Sequence, residues 1–443
     1  MFVSARFPKI VPVKLTQELI HVFGNIAGRP GAFLLDSGGD NLKDGRYSFA
    51  GINPTHTFSS YGGFVTIDGH ACIDNSFSAL QRFIADTACT APADPYLPFT
   101  GGLVGFASFE WGNSRGGVAD SDYIPDVFFG FYDTVITYDR LEGAAWITSL
   151  DEARADEKIE GLLSLLQVSP CERRNYPPIN GRHPIVSALS KDGFINGVKA
   201  LKNVEHLPLF AQRFASPTHK TPWQAYLDLR CENQVPYGAY LNCGDFHILC
   251  ASRTRLMSIS NDVVTSKPTK GSRGRTANPE EDARKINELQ YNEEIQSSHR
   301  YVVTDIMKNL DDVCSRNSIE TDDVAHIESD RRAHHLVTNI SGKKERDVGV
   351  FDCLLKIMPA FSDGRIAPIV SRLEKRSRNI YTGTIGFISC NGAAEFNSAF
   401  RTMVLKDTIG YLHAGTEIGM ATDAEEAFFN TAKTADKIFA LMR

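Results

Sequence analysis

Apolar and polar positions along the chain follow two periods, and each change of period marks an element. Residues 32–35 form a short apolar run closed by Asp36-Ser37-Gly38-Gly39, the pattern of a buried strand ending in a turn. Residues 46–51 predict a second strand, stopped before Asn53-Pro54. Residues 97–106 are rich in glycine, aromatic and apolar positions, and residues 130–139 alternate well enough to predict one long strand. In residues 151–167 the period lengthens, and Ile159, Leu162, Leu163, Leu165 and Leu166 supply the apolar face of a helix. A helix also opens at Lys191, with Phe194, Val198 and Leu201 in register. A strand over 209–214 and a helix over 222–230 follow, then a hairpin of 237–241 and 247–251 around Asn242-Cys243-Gly244-Asp245. Residues 279–314 carry the longest helical pattern, interrupted once, with Val303, Met307 and Leu310 in register. Beyond it the pattern predicts strands at 335–340, 381–389 and 396–405, a helix at 350–358 stopped by Pro359, and a terminal helix at 423–442.

Composition changes this picture little. A chain of 443 residues, 42% hydrophobic and 23% charged, has enough apolar material for a large core, as two to three domains or one large α/β unit. Residues 168–188 are polar and carry Pro170, Pro177, Pro178 and Pro184, so they read as a linker between a region 1–167 and a region 189–443, within one body or between two. A formal net charge of −6 argues against a dedicated nucleic-acid binder. The nine cysteines form no C-x-x-C pair and are odd in number, which predicts reduced thiols in a cytoplasmic protein rather than a disulfide framework or a zinc site. The N-terminus lacks a signal-peptide pattern, and no apolar stretch approaches the roughly 18 residues of a membrane span.

Candidate chemistry concentrates in residues 265–275, Thr-Ser-Lys-Pro-Thr-Lys-Gly-Ser-Arg-Gly-Arg. They lie between a strand-like run and the acidic helix start Pro279-Glu280-Glu281-Asp282, and their proline and glycines predict an extended turn. A lysine fixed at such a junction, here Lys270, can serve as a nucleophile or as a carboxylate partner. The plain alternative is a solvated basic loop.

The order of motifs resembles the chorismate-utilising family, which includes anthranilate synthase component I, aminodeoxychorismate synthase component I, isochorismate synthases and salicylate synthases. The blocks are Arg46-Tyr47-Ser48-Phe49-Ala50-Gly51 with Asn53-Pro54, residues 98–106 with Ser108-Phe109, Pro268-Thr269-Lys270-Gly271-Ser272-Arg273, residues 335–342, residues 381–388, residues 396–402, and Ala414-Gly415. Seven blocks in the family's order cover nearly the whole chain. The resemblance implies an α/β (α+β) fold of two stacked β-rich layers surrounded by helices, with an active site deep between them. Lysine inside the Pro-x-Lys-Gly block is similar to aminodeoxychorismate synthase component I, in which it attacks the ring and displaces the C4 hydroxyl before ammonia replaces it. By matched position, Arg401 would grip a substrate carboxylate and the Gly415 backbone would offer N–H donors to it. Tyr381, Thr384 and Ser252 would line the pocket, and His335 would act near the leaving hydroxyl. The substrate would be a small anion such as chorismate, and the ammonia would come from a glutamine amidotransferase subunit or free ammonium. The well-kept N-terminal motifs bind tryptophan in some relatives, which does not by itself establish feedback control.

The departures fall on acidic positions. The family's Ser-Pro-Glu reads Ser252-Arg253-Thr254, the glutamate-bearing helix triplet reads Ser298-His299-Arg300, and the terminal-helix glutamates become Ala427-Phe428-Phe429-Asn430. The loop at 359–368 is reduced, and Ala414-Gly415 continues as Thr416-Glu417. The family holds Mg²⁺ with glutamates from two helices, and a hard cation needs oxygen ligands that these side chains do not supply. His299 then takes over a charge role or packs on its helix face. Glu417, Glu425 and Glu426 do not reproduce the spacing of the lost pair. The expectation is a protein without Mg²⁺ or another cofactor, its chemistry altered in a secondary or folate-like pathway. The alternative is a non-catalytic member that binds a ligand or scaffolds an amidotransferase.

Overall fold

Among the described residues, two eleven-stranded antiparallel sheets carry the fold. The computed structural model describes residues 7–39, 44–87, 97–114, 124–168, 184–232, 234–322, 325–358 and 366–442. The first sheet runs Lys9–Val13, Ala144–Ser149, Thr134–Asp139, Tyr47–Gly51, Phe33–Asp36, Tyr237–Asn242, Phe246–Ser252, Thr402–Lys406, Ile409–Glu417, Leu209–Pro217, Val186–Ser187. The second runs Glu320–Thr321, Ile340–Lys343, Val263–Ser266, Arg255–Ser260, Ala394–Ser398, Thr384–Ser389, Gly102–Ala107, Val127–Tyr132, His56–Tyr61, Phe64–Ile67, His70–Cys72. A third sheet of three strands joins Thr269–Gly274, Ala333–Val337 and His326–Ser329.

The large sheets stack face to face. Phe33 and Phe49 of the first meet Val104, Phe106, Ile385 and Phe387 of the second in one buried cluster, with the Phe49 and Phe387 rings 5.2 Å apart. Helices cover the outer faces. Ala155–Gln167, Pro222–Glu232 and Ala424–Ala440 bury Leu162, Leu229 and Ile438 against the first sheet. Ser76–Thr87, Glu293–Leu310 and Val350–Ile357 bury Leu80, Ile306 and Leu354 against the second. Strands enclosed on both faces read as continuous apolar runs, which is why Gly102–Ala107 is buried at every position. There Gly105 lies opposite Gly386, and a Cβ on either would stand 2.0 Å from a neighbouring strand's carbonyl oxygen.

The two layers wrapped by helices are as expected, but several boundaries differ. Residues 130–139 are not one strand. Val127–Tyr132 belongs to the second sheet and Thr134–Asp139 to the first, and the chain crosses at Asp133, whose carboxylate lies 2.5 Å from Lys158 Nζ. Residues 396–405 divide in the same way into Ala394–Ser398 and Thr402–Lys406, with Arg401 between them at φ 49°. Alternation reports that a residue is half-buried and is silent on which sheet buries it. Residues 269–274 form a bulged strand pairing with Ala333–Val337, where the sequence predicts a turn. The long helical pattern does break once, at Asn292. Its N–H closes the preceding helix on Glu288 O at 3.0 Å, while its side chain accepts from Ile295 N.

Both large sheets take strands from either side of residues 168–188, of which 169–183 lie outside the described residues. Val186–Ser187, inside that stretch, pairs with Phe214 and Ala215. Among the described cysteines six are free and Cys390 is disulfide-bonded, which corrects the expectation of thiols at that position. No helix among the described residues is long and apolar enough to cross a membrane.

Candidate active site

Lys270 is not a solvated loop cation. Its strand packs beneath the helices Pro279–Tyr291 and Glu293–Leu310, and the residue is only 5% exposed. Its ammonium donates to Leu207 O at 2.8 Å and pairs with Glu417 Oε1 at 2.9 Å. Glu417 ends the strand Ile409–Glu417, and Leu207 lies in a turn where His206 and Leu207 adopt φ of 67° and 47°. Two consecutive non-glycine residues in the left-handed region need support from their surroundings. Here the His206 ring stacks on Tyr301 with centroids 3.9 Å apart, and Leu207 packs with Leu289, Ile295 and Leu336.

Lys270 lines a pocket shared with Tyr301, Asp305, Glu110, Glu374 and Arg378. Glu374 and Arg378 form a buried fork, with Nη2 to Oε1 at 2.6 Å and Nε to Oε2 at 2.8 Å. Glu110 accepts the backbone N–H of Arg378 at 2.6 Å and of Asn379 at 3.0 Å. Burial pushes its carboxyl up to about 7, against the pull of those donors.

His335 and Arg401 lie elsewhere. Arg401 lines a larger pocket together with Arg253, Arg275, Arg331 and Arg332. His335 sits at its edge. Arg253 Nη1 donates to His335 Nε2 at 2.5 Å, so Nδ1 carries the proton and donates to Ser272 Oγ at 2.7 Å. Burial, then the charges of Arg253 and Arg401, lower His335 to about 3, and the imidazole is neutral at neutral pH. Asp330 pairs with Arg253 and stands 3.4 Å from His335 Nε2. Arg401 is reached by water yet ringed by protein, and that enclosure, followed by the repulsion of Arg332, lowers its pKa. Tyr381 lies within electrostatic reach of Arg401, its ring stacked on His413 at 5.6 Å.

Among the remaining expected site residues, Ser252 Oγ donates to Ser398 O at 2.5 Å and Thr384 Oγ1 to Asn397 O at 2.6 Å, so the one proton of each hydroxyl is held by backbone within the sheets. A Cβ on Gly415 would stand 2.8 Å from Ala211 Cβ and Phe210 O, so this glycine lets two strands approach. Arg253, Asp330, Glu110 and Arg378 escaped the sequence reading. Arg253 had left one signal, a cation where the family motif carries proline.

The positions aligned with the family's metal ligands do not fit Mg²⁺. His299 is fully buried and uses both ring nitrogens, Nδ1–H donating to Lys270 O at 3.1 Å and Nε2 accepting from Thr338 Oγ1 at 2.8 Å. Burial lowers its pKa to about 4, so it is a neutral tie between strand and helix. Ser298 Oγ donates to His206 O at 2.8 Å, and Ala427 packs in an apolar cluster with Phe194 and Ile418. Among the described residues no group of three or more His, Cys, Asp or Glu is arranged to hold a metal ion.

The sequence profile of chorismate binding enzymes matches residues 32–439. The chain belongs to the chorismate-binding enzyme family. Aminodeoxychorismate synthase component 1 of Bacillus subtilis is 26% identical over 428 residues, spanning 91% of this chain and 90% of that protein. Anthranilate synthase component 1 of Saccharomyces cerevisiae is 29% identical over 457 residues, spanning 96% and 87%. The crystal structure of anthranilate synthase component I from Streptococcus pneumoniae superposes with a TM-score of 0.77 at 22% identity, covering 89% of this chain and 92% of that one. MenF, the menaquinone-specific isochorismate synthase of Escherichia coli, does so with 0.71 at 14%, covering 99% and 96%. These likenesses establish the fold of the chorismate-binding family. Members with different products are similar to comparable degrees, so identity assigns no product.

Proposed function

We propose that this chain acts on chorismate or a closely related small anion, in the manner of aminodeoxychorismate synthase component I, with Lys270 as nucleophile and without Mg²⁺. The observation that carries the reading is Lys270 itself, buried at the wall of a pocket with a carboxylate 2.9 Å from its amine. An ammonium cannot attack carbon, so its proton must leave first, and Glu417 is the acceptor within reach. The free amine then forms a C–N bond to the ring as the C4–O bond breaks. The departing hydroxyl takes the proton held by Glu417 and leaves as water. Ammonia next forms its own bond to the ring, and the lysine departs as the amine. His335, neutral at neutral pH, is no reservoir for the leaving-group proton, and its part is to hold Arg253. Ammonia would be delivered by a glutamine amidotransferase subunit or taken from solution.

The test is mass spectrometry of chorismate incubated with the protein, ammonium and EDTA. An aminated product is expected. Lys270→Ala should abolish it, and Glu417→Gln should lower turnover by roughly 10²–10⁴-fold, the range of general acid–base catalysis. Turnover that persists in Lys270→Ala, or that appears only with Mg²⁺, overturns the reading. One observation favours a second reading, a ligand-binding or amidotransferase-scaffolding member: Lys270 is closed by two partners, Leu207 O and Glu417. Chorismate bound but never converted would select it.

A further inference from the structure

We infer that His206 and Ser298 are positioning residues for Lys270, bracing the strained turn whose Leu207 carbonyl aims the lysine amine. The inference deepens the proposed reading of Lys270 as nucleophile and rests on it for the catalytic consequence, while the brace itself stands on geometry. The amine is held by Leu207 O at 2.8 Å and Glu417 Oε1 at 2.9 Å. These partners lie on adjoining strands, since Leu209 pairs with Glu417 and the Ile418 N–H donates to Pro208 O at 2.9 Å. They are not equivalent. Glu417 can exchange a proton with the amine, whereas a carbonyl only accepts, so Leu207 O takes an N–H from the ammonium and from the free amine alike. A tetrahedral nitrogen bonded to Cε and tied to this carbonyl has two directions left for its lone pair. Leu207 O thereby limits the line along which Lys270 can attack.

That carbonyl belongs to a turn which local preference disfavours, with His206 and Leu207 at φ 67° and 47° in succession. The helix Glu293–Leu310 supplies the support. Ser298 Oγ donates to His206 O at 2.8 Å. Tyr301, three residues on and on the same face, lies within 10° of parallel to the His206 ring, with centroids 3.9 Å apart. His299, next to Ser298, holds the carbonyl of Lys270 itself at 3.1 Å. Successive helical residues point about 100° apart, so one helix grips the turn and the lysine's strand together. Gly271 lets the helix lie this close, because a Cβ there would stand 2.7 Å from Ile295 Cγ2. The positions aligned with a metal ligand of the family, Ser298 and His299, therefore hold the nucleophile's surroundings in place instead.

Two readouts on the full chain test this in Ser298→Ala, His206→Ala, His206→Gly and His206→Phe. One is kcat and KM for amination of chorismate. The other is acetylation of Lys270 in a short pulse of acetic anhydride, measured by peptide mass spectrometry, which needs no turnover. Ser298→Ala and His206→Ala should lower kcat by up to about a hundredfold, the cost of a misaimed group, with KM little changed. Both should speed acetylation of Lys270 several-fold relative to exposed lysines of the same protein. His206→Phe keeps the stacked ring and should recover most of the rate. His206→Gly loses the ring but adopts a positive φ without strain, so its kcat should exceed that of His206→Ala. A support that serves stability alone would lower the denaturation midpoint and leave kcat and Lys270 acetylation at parent values, and that result overturns the inference. So does His206→Gly falling below His206→Ala in kcat. If the parent aminates no chorismate, the nucleophile reading fails by itself. Faster Lys270 acetylation in Ser298→Ala and His206→Ala then still upholds the brace, and unchanged acetylation overturns it.

Discussion

His299 shows how one substitution changes the character of a site. A carboxylate in a pocket can hold a cation, whereas a buried neutral imidazole holds two pieces of backbone. Its Nδ1–H ties the helix Glu293–Leu310 to the carbonyl of Lys270, and Thr338 completes the link by donating to Nε2 while accepting the N–H of Ala325 at 2.9 Å. The folded protein holds a proton on His299 less tightly, at about 4 against an ordinary 6.5. The unfolded chain therefore gains the proton first as pH falls. The stability from this residue is complete above about pH 6.5 and is lost as pH drops toward 4, by on the order of 3 kcal/mol. His335, lowered to about 3, adds a loss in the same direction. Denaturant melts across pH 4–8 should show that decline, and His299→Gln, which keeps a donor and an acceptor but cannot charge, should flatten part of it. An unchanged slope in His299→Gln would assign the acid sensitivity elsewhere.

At the scale of elements, site residues stand where an element ends or crosses. Arg401 lies where the chain leaves the second sheet for the first, Glu417 ends a strand, and Leu207 lies in a strained turn ahead of Leu209–Pro217. Such positions are held by caps and pairings beyond the element itself. Asn292 is one, since it caps Glu293–Leu310 and so sets the height of Ser298, His299 and Tyr301 above Lys270. Asn292→Ala should cost about 1 kcal/mol, the usual value of an N-cap, read as a lower denaturation midpoint at an unchanged slope. Helices with a clear apolar stripe, such as Lys191–Leu201 and Val350–Ile357, were legible from spacing because burial of one face needs only local periodicity. The strand Ile409–Glu417 was not read, nor were the sheet crossings at Asp133 and Arg401, because a strand's partner is chosen by residues far away in the chain.

For the whole molecule, the sheets make residues on either side of the 168–188 stretch interdependent. In the first sheet Phe33–Asp36 pairs with Tyr237–Asn242, and in the second Gly102–Ala107 pairs with Thr384–Ser389. Separating the chain there would bare two long strand edges and the aromatic layer between the sheets. Residues 1–167 and 184–443 expressed apart should each aggregate or fail to show a cooperative melt, and expressed together they should assemble into one particle by size-exclusion chromatography. A separately folded 184–443 piece would contradict this. The order of seven short blocks was enough to place the chain in its family and to foretell two β layers wrapped by helices, because those blocks are local and survive substitution around them. That residues 298–300 and 427–430 carry no acid is equally plain in the primary structure. Distance was not. The pairing of Lys270 with Glu417 and the placing of Lys270 and Arg401 in different cavities arise from long-range strand register. So do the backbone's hold on the Ser252 and Thr384 hydroxyl protons and the cluster of arginines around Asp330. Register is set by the packed sheets as a whole, so no stretch of chain contains it.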